Sequence, residues 1–263
     1  MFISAAINKY IYITLQKSSY SHSINLRYSE TEDVESVDEI KHDIIRETFR
    51  YGGIEHGVAL TSHADIPSGT GLGSSGSFGV GVLHAIYPDK DSYWLANTAT
   101  HIQKDILHYP IGLQDQYLAT FGGTNIYEIG KDGSVIVKSI EIQRLQEKLV
   151  MFYTGIKRDA NKILASSTSE GLEEVQSIAY EAKDALEGAN YAKYGVLLDK
   201  HWQEKKKRSP EMSNPDIDRL YELGKQNGAL GGKIIGAGVG GFLLFYTDDN
   251  EKIINAMPFE LIV

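Results

Sequence analysis

No cysteine occurs in the 263 residues, which excludes disulfides, thiolate metal sites and cysteine nucleophiles together. Such a chain suits a reducing, cytoplasmic setting. No apolar run reaches the roughly 18 residues that a membrane span needs, so no membrane partner is expected. Basic charge is in deficit: 26 Lys and Arg face 35 Asp and Glu, for a net charge of −9. A nucleic-acid partner is therefore not expected, because phosphate contacts need clustered cations. The one basic run, Lys205 to Arg208, follows Glu204 in helical surroundings and reads as a solvated helix face. The eight histidines include no H-x-x-x-H pair and read as structural or surface residues. The opening stretch "MFISAAINKYIYITLQK" lacks the basic start and apolar core of a signal peptide; its apolar residues alternate as in a strand.

What is present is an ordinary globular composition, 42% hydrophobic and 23% charged, with core enough for one large domain or two intimate ones. "VDEIKHDIIRETFRYGG" places Val37, Ile40, Ile44, Ile45, Thr48 and Phe49 at helical spacing and stops on a glycine pair. "GVALTSHADIP" reads as a strand entering a glycine-rich loop, and "SFGVGVLHAIYP" as the helix leaving it. "DSYWLANTATHIQKDIL" predicts a further helix, with Asp91 or Ser92 as its N-cap. "TNIYEIGKDGSVIVKSIEI" predicts a hairpin around Lys131-Asp132-Gly133, and "KLVMFYTG" a buried strand. From Asp159 to Asn227 the chain reads helical, with a turn near Ser209-Pro210; "GGKIIGAGVGG" then turns into the strand "FLLFYTDD". The mixed order predicts an α+β fold.

The loop "GTGLGSSGSFG" matches a dinucleotide pattern at Gly71, Gly73 and Gly76, yet the second strand of a βαβ unit is missing after it. A Walker A reading fails as well, since Ser77 stands where the lysine belongs. What remains is a Gly- and Ser-rich turn feeding a helix, in which small residues let backbone N–H groups approach a phosphate and the helix start adds partial positive charge. A flexible surface loop is the plainer alternative.

With "DIPSGTGLGSSGSFGVGVLHAI" in view, the chain resembles the GHMP kinases. The P-x-x-x-G-L-G-S-S element, Pro67 to Ser75, is similar to that family's ATP-phosphate loop, and "KIIGAGVGGF", Lys233 to Phe242, to its second glycine loop. The stretches "INKYIYIT", "GLQDQYLATFGG", "FYTGIKR" and "NGALGGKIIGAGVGGF" extend the resemblance, in particular to kinases of D-glycero-D-manno-heptose 7-phosphate. It implies a two-lobed fold with a ribosomal S5-like N-terminal lobe, residues 1–145, and a ferredoxin-like C-terminal lobe, residues 146–263. It also implies ATP and Mg²⁺ as cofactors, a small-molecule sugar phosphate as acceptor, and a monomer or homodimer.

Residue by residue, the resemblance makes Asp115 the group that takes the proton from, or orients, the attacking sugar hydroxyl. Its plainer role would be a helix cap after Gly112. Gly69, Gly71, Leu72, Gly73, Ser74, Ser75 and Gly76 would border the ATP phosphates, with Ser75 also at the metal. Gly236, Gly238 and Gly240 would border the same cleft. Lys157 and Arg158 would meet the substrate's phosphate or form a surface pair. Two departures stand out. The family's metal-binding glutamate falls on Gln103, with Asp105 nearby but turned elsewhere on the helix. A first strand with a G-G-G-T-D-type loop and a last strand are expected to lie outside Met1 to Val263. Three functional readings follow: a heptose-phosphate kinase, a kinase of another sugar such as fucose or galactose, or a degenerate fold that binds nucleotide without turnover.

Overall fold

The computed structural model describes residues 1–142, 144–156, 168, 171–236, 238 and 240–259. They fall into two compact units that do not follow chain order. One, here the insert unit, holds Ala6–Ser68 and Gly73–Gly122; the other, the frame unit, holds Met1–Ala5, Gly69–Leu72 and the chain from Gly123.

The insert unit is built on a four-stranded sheet of order β2-β5-β3-β4: β2 (Ile11–Lys17), β3 (Ile24–Arg27), β4 (Thr31–Val34) and β5 (Val58–Ala64). Leu60 of β5 pairs with Leu15 of antiparallel β2 and Leu26 of parallel β3. A crossover between β3 and β5 carries helix α1 (Asp43–Tyr51). The helix buries Ile44, Ile45, Thr48 and Phe49 because those positions share one face. Helix α2 (Ser74–Ile86) adds Phe78 and Val82 to the same core. It is followed by α3 (Ser92–His101), a π turn at Ile102–Ile106, and α4 (Gln114–Phe121). Asp91 caps α3 as expected, its carboxylate accepting from Trp94 N at 2.8 Å.

The frame unit has two antiparallel three-stranded sheets. β1 (Phe2–Ala5), β6 (Thr124–Ile129) and β7 (Val135–Ser139) form one, in the order β1-β6-β7. β8 (Leu149–Tyr153), β9 (Ala229–Ile234) and β10 (Phe242–Thr247) form the other, with β10 central. Helices α5 (Leu172–Glu187), α6 (Tyr191–Lys207), α7 (Pro215–Gln226) and α8 (Asn250–Ala256) complete it. Its core gathers Phe152, Trp202, Ile217, Tyr221 and Phe245. Helix α6 lies very close to β9: a Cβ on Gly231 would stand 2.1 Å from Gly195 O.

Three sequence expectations need correction. The opening alternation is two strands, not one: β1 pairs with β6, while β2 pairs with β5. The helix expected from Val37 starts at Asp43, after a 3-10 turn at Val37–Glu39. The buried carboxylate of Glu32 takes the N–H groups of Lys41 (2.7 Å) and His42 (3.2 Å), so those residues cannot join a helical ladder. Strands β3, β4 and β9 were not anticipated; β9 contains Gly231 and Gly232, which lower strand propensity but permit close packing.

Two outcomes follow. Gly231→Ala should destabilise the protein by about 1–3 kcal/mol, read as a lower urea midpoint at constant slope; an unchanged midpoint would mean that α6 lifts from β9 freely. Burial pushes the Glu32 carboxyl up, but donation from Lys41 N, Tyr28 Oη and His42 N overcomes this and holds it below its ordinary value. The stabilisation is therefore present above the unfolded carboxylate pKa of about 4.3 and is lost as pH falls through the lower folded value. Glu32→Gln should flatten the acid limb of the stability curve, measured by urea melts from neutral pH downward.

Candidate active site

Helix α2 begins in an unusual way. Its N-cap, Gly73, is left-handed (φ 72°, ψ 24°) and has no side chain with which to cap the first turn. Gly69 (φ 77°) and Gly71 (φ 91°) are left-handed too, a conformation that strongly favours glycine. The first turn of α2 is thus left with N–H groups that no side chain of its N-cap meets, chemistry that suits an anion. The compact units divide this loop after Leu72, so each half is described within its own unit.

In the insert unit, the start of α4 presses against the start of α2. A Cβ on Gly73 would stand 2.9 Å from Asp115 Cγ, and one on Gly76 would stand 2.7 Å from Asp115 Cβ. Asp115 is the second residue of α4, and Leu113 holds the N-cap position without a side-chain bond, so Asp115 is not the cap. Its carboxylate sits where the positive ends of two helices meet. The sequence readings of Gly73, Ser74, Ser75, Gly76 and Asp115 therefore converge on one place.

Gln103 reaches the same place through the π turn, closed by Leu107 N donating to Ile102 O at 2.9 Å. The side chain is buried (1% exposed). Its Nε2 donates to Ser75 O at 3.3 Å, and its Oε1 accepts from Gln116 Nε2 at 3.1 Å. Gly79 makes room, since a Cβ there would lie 2.2 Å from Gln103 Nε2. Gln116 Oε1 is buried with no hydrogen-bond partner among the described residues. Asp105 is exposed and pairs with His101 Nδ1 at 2.8 Å, away from this ladder. Gln116 and Gly79 were not singled out in the sequence, although "QDQ" and the spacing Ser75 to Gly79 on one helix face carried the signal.

A divalent cation here would meet the Ser75 hydroxyl and the Asp115 carboxylate, with Gln103 Oε1 already accepting from Gln116. No group of three His, Asp or Glu side chains that could hold a metal occurs among the described residues. This donor set fits a magnesium ion that takes most of its ligands from nucleotide phosphates and water, and it does not fit an all-protein cage.

In the frame unit, Gly69–Leu72 meets the second glycine loop between β9 and β10. A Cβ on Gly241 would lie 1.9 Å from Thr70 O, one on Gly240 would lie 2.7 Å from Ile156 O, and one on Gly238 would lie 2.6 Å from Met212 Sδ. Gly236 O accepts from Lys205 Nζ of α6. Backbone bonds Gly241 N to Ile156 O (2.9 Å) and Thr154 N to Gly241 O (2.8 Å) anchor the turn. Thr70, fully buried, escaped the sequence reading. Lys157 and Arg158 lie outside the described residues.

Family models match at two places: GHMP kinases N terminal domain over residues 39–123 and GHMP kinases C terminal over residues 182–262. The D-glycero-alpha-D-manno-heptose 7-phosphate kinase of Campylobacter jejuni is 34% identical over 211 residues, 74% of this chain and 62% of that protein. The chain thus spans under two thirds of that relative's length. A Campylobacter jejuni structure designated a sugar kinase is 31% identical, with a TM-score of 0.77 over 97% of this chain and 81% of that one. A D-glycero-D-manno-heptose 1-phosphate kinase structure from Bacteroides thetaiotaomicron shares the fold at 22% identity, with a TM-score of 0.75 over 98% and 86%. The left-handed glycine loop, the aspartate held against it and the second glycine turn thus have a common explanation: the chain belongs to the GHMP kinase family and has its α+β fold.

Proposed function

We propose that the protein is an ATP-dependent kinase that phosphorylates the anomeric hydroxyl of D-glycero-D-manno-heptose 7-phosphate. The observation that carries this reading is the packing of Asp115 against the uncapped, left-handed start of α2. The acceptor is supported by the similarity to the Campylobacter jejuni heptose 7-phosphate kinase. On this reading residues 1–145 and 146–263 are the family's ATP-binding and C-terminal domains, which are sequence divisions and not the compact units.

In this scheme Gly69, Gly71, Leu72, Gly73, Ser74, Ser75 and Gly76 cradle the ATP phosphates with backbone N–H groups. Gly236, Gly238 and Gly240 keep the second loop free of side chains beside them. Asp115 accepts the proton of the anomeric hydroxyl as its oxygen bonds to the γ-phosphorus and the β,γ-bridging bond breaks, ADP leaving with that electron pair. Phosphoryl transfer asks little more of a protein than positioning and neutralisation of charge. Magnesium, when bound, would neutralise the phosphate oxygens; Ser75 and Gln103 are the residues proposed to hold it, with the Asp115 carboxylate nearby.

The direct test is ADP release from ATP·Mg²⁺ with heptose 7-phosphate, galactose and fucose as separate acceptors. Release with the heptose phosphate supports the reading. Release with galactose or fucose in its place overturns the acceptor, and a melting temperature raised by ATP without turnover identifies a nucleotide-binding fold that does not catalyse. Asp115→Asn should lower kcat by about 10²-fold or more with ATP affinity retained; unchanged turnover would remove Asp115 from the reaction. Gln103→Glu puts an acceptor opposite Ser75 O in a buried place, and should destabilise the cation-free protein by about 1–3 kcal/mol. Mg²⁺ with ATP should restore its melting temperature more than it raises that of the parent; equal responses would place residue 103 away from the cation.

A further inference from the structure

The two buried amides beside the start of α2 have a direction, and one backbone carbonyl sets it. Ser75 O can only accept, so Gln103 turns its Nε2 toward it, at 3.3 Å. Gln103 Oε1 then needs a donor, and Gln116 Nε2 supplies one at 3.1 Å. Gln116 Oε1 is left over, buried and without a hydrogen-bond partner among the described residues. Turning either amide over would set oxygen against oxygen along the ladder. The orientation of both side chains thus follows from chemistry and not from electron count.

Packing alone does not call for this arrangement. Gln103 and Gln116 are 1% and 2% exposed, and a buried oxygen without a donor is unfavourable. A methionine at position 116 would fill a similar volume and leave no oxygen of its own unpaired. What the Gln116 amide adds is a tie between three segments, all within the insert unit. They are the first turn of α2 through Ser75, the π turn through Gln103, and the first turn of α4, where Gln116 follows Asp115. The chain leading into α4 is held by the same residue, Tyr109 N donating to Gln103 O at 2.9 Å. The two sides of the ladder carry different parts of the site: Ser75 belongs to the phosphate-binding turn, and Asp115 lies against Gly73 and Gly76 from the side of α4.

We propose that Gln116 is a positioning residue: acting through Gln103, it fixes where the Asp115 carboxylate stands relative to the phosphate-binding turn at Ser75. The assignment rests on the reading of Asp115 and Ser75 as parts of a kinase site, but the ladder itself can be tested without turnover. A slack ladder leaves the glycine loop its backbone N–H groups while the start of α4 shifts against it. A displacement on the order of 1 Å between reacting groups lowers a rate by about 10²-fold. The loss therefore falls on kcat, with nucleotide binding largely kept.

Gln116→Met keeps the volume and removes the donor. It exchanges one orphaned oxygen, that of Gln116, for another, that of Gln103, so the melting temperature should stay near that of the parent. Its kcat with heptose 7-phosphate should fall about tenfold or more, with KM for ATP within about twofold of the parent. Without any ligand, the Ser77 amide, bonded to Gly73 O at 2.9 Å in α2, should exchange its hydrogen faster than in the parent. In Gln116→Glu the donor exists only while the introduced carboxyl is protonated, and burial raises its pKa. The ratio of variant to parent kcat should therefore climb as pH falls from about 8 to about 6. The titratable groups on the elements packed against position 116 are Asp115 on α4, His84 on α2, His101 on α3, and Lys104 and Asp105 in the π turn. Both proteins share them, so the ratio reports position 116. Parental kcat in Gln116→Met, or a ratio independent of pH in Gln116→Glu, overturns the proposal. If Gln116→Met does not fold, the pH series of Gln116→Glu decides by itself. If the parent turns over no heptose 7-phosphate, the acceptor reading fails separately; faster Ser77 exchange in Gln116→Met then still supports the ladder, and equal exchange sinks it.

Discussion

The insert unit depends on one helix having almost no side chains where its neighbours arrive. On α2, Gly76 admits the start of α4, Gly79 admits the Gln103 amide, and Gly81 admits Ile13 of β2, where a Cβ would stand 2.9 Å from Ile13 Cγ1. Three elements therefore close on α2 at near-contact distance, and two of them bring polar groups to its first turn. Glycine lowers helix stability by about 1 kcal/mol at each such position. Here tertiary packing supplies the stability that propensity withholds. The unfavourable local choice is what makes the site geometry possible.

The polar groups around this helix form two different environments a few residues apart. Asp115 lies at the mouth of two helix starts, where partial positive charge favours an anion. Gln103 and Gln116 lie deeper, as a ladder of neutral amides ending in an oxygen without a donor. A carboxylate in that ladder would face Ser75 O, acceptor against acceptor. An amide satisfies Ser75 O with no added charge, which explains physically why a glutamine is stable at this position.

Much of this was legible in the sequence, for a reason of scale. The glycine loop, the hairpin at Lys131–Gly133 and the capped start of α3 rest on patterns spanning a few adjacent residues, whereas Asp115 was singled out only through the family resemblance. The missed features depend on distant partners. The π turn needs a bond between Ile102 and Leu107 that the apolar spacing of an ordinary helix does not announce. Gln116 matters because Gln103, thirteen residues earlier, faces it across a loop. The early end of the helical pattern near Val37 traces to Glu32 on another strand. Strand β9 reads poorly because two of its six residues are glycines, chosen by the closeness of α6 and of β10. The basic run ending at Arg208 reads as a solvated face, and two of its lysines pair with acids there, Lys206 with Asp218 and Lys207 with Glu204.

The pairing of β1 with β6 has a consequence for how the chain folds. Phe2 pairs with Tyr127, so the frame unit cannot complete its first sheet until the whole of the insert unit has been synthesised. Closing a loop of that length costs about 4 kcal/mol in chain entropy. The insert unit draws its core from residues 11–109 and has no such long loop to close first. During translation it is placed to fold first and shorten the effective loop, after which β1 can find its partner. The four residues of β1 would then settle after the strands β2 to β5 that follow them, a stitch closed only once the intervening chain is in place.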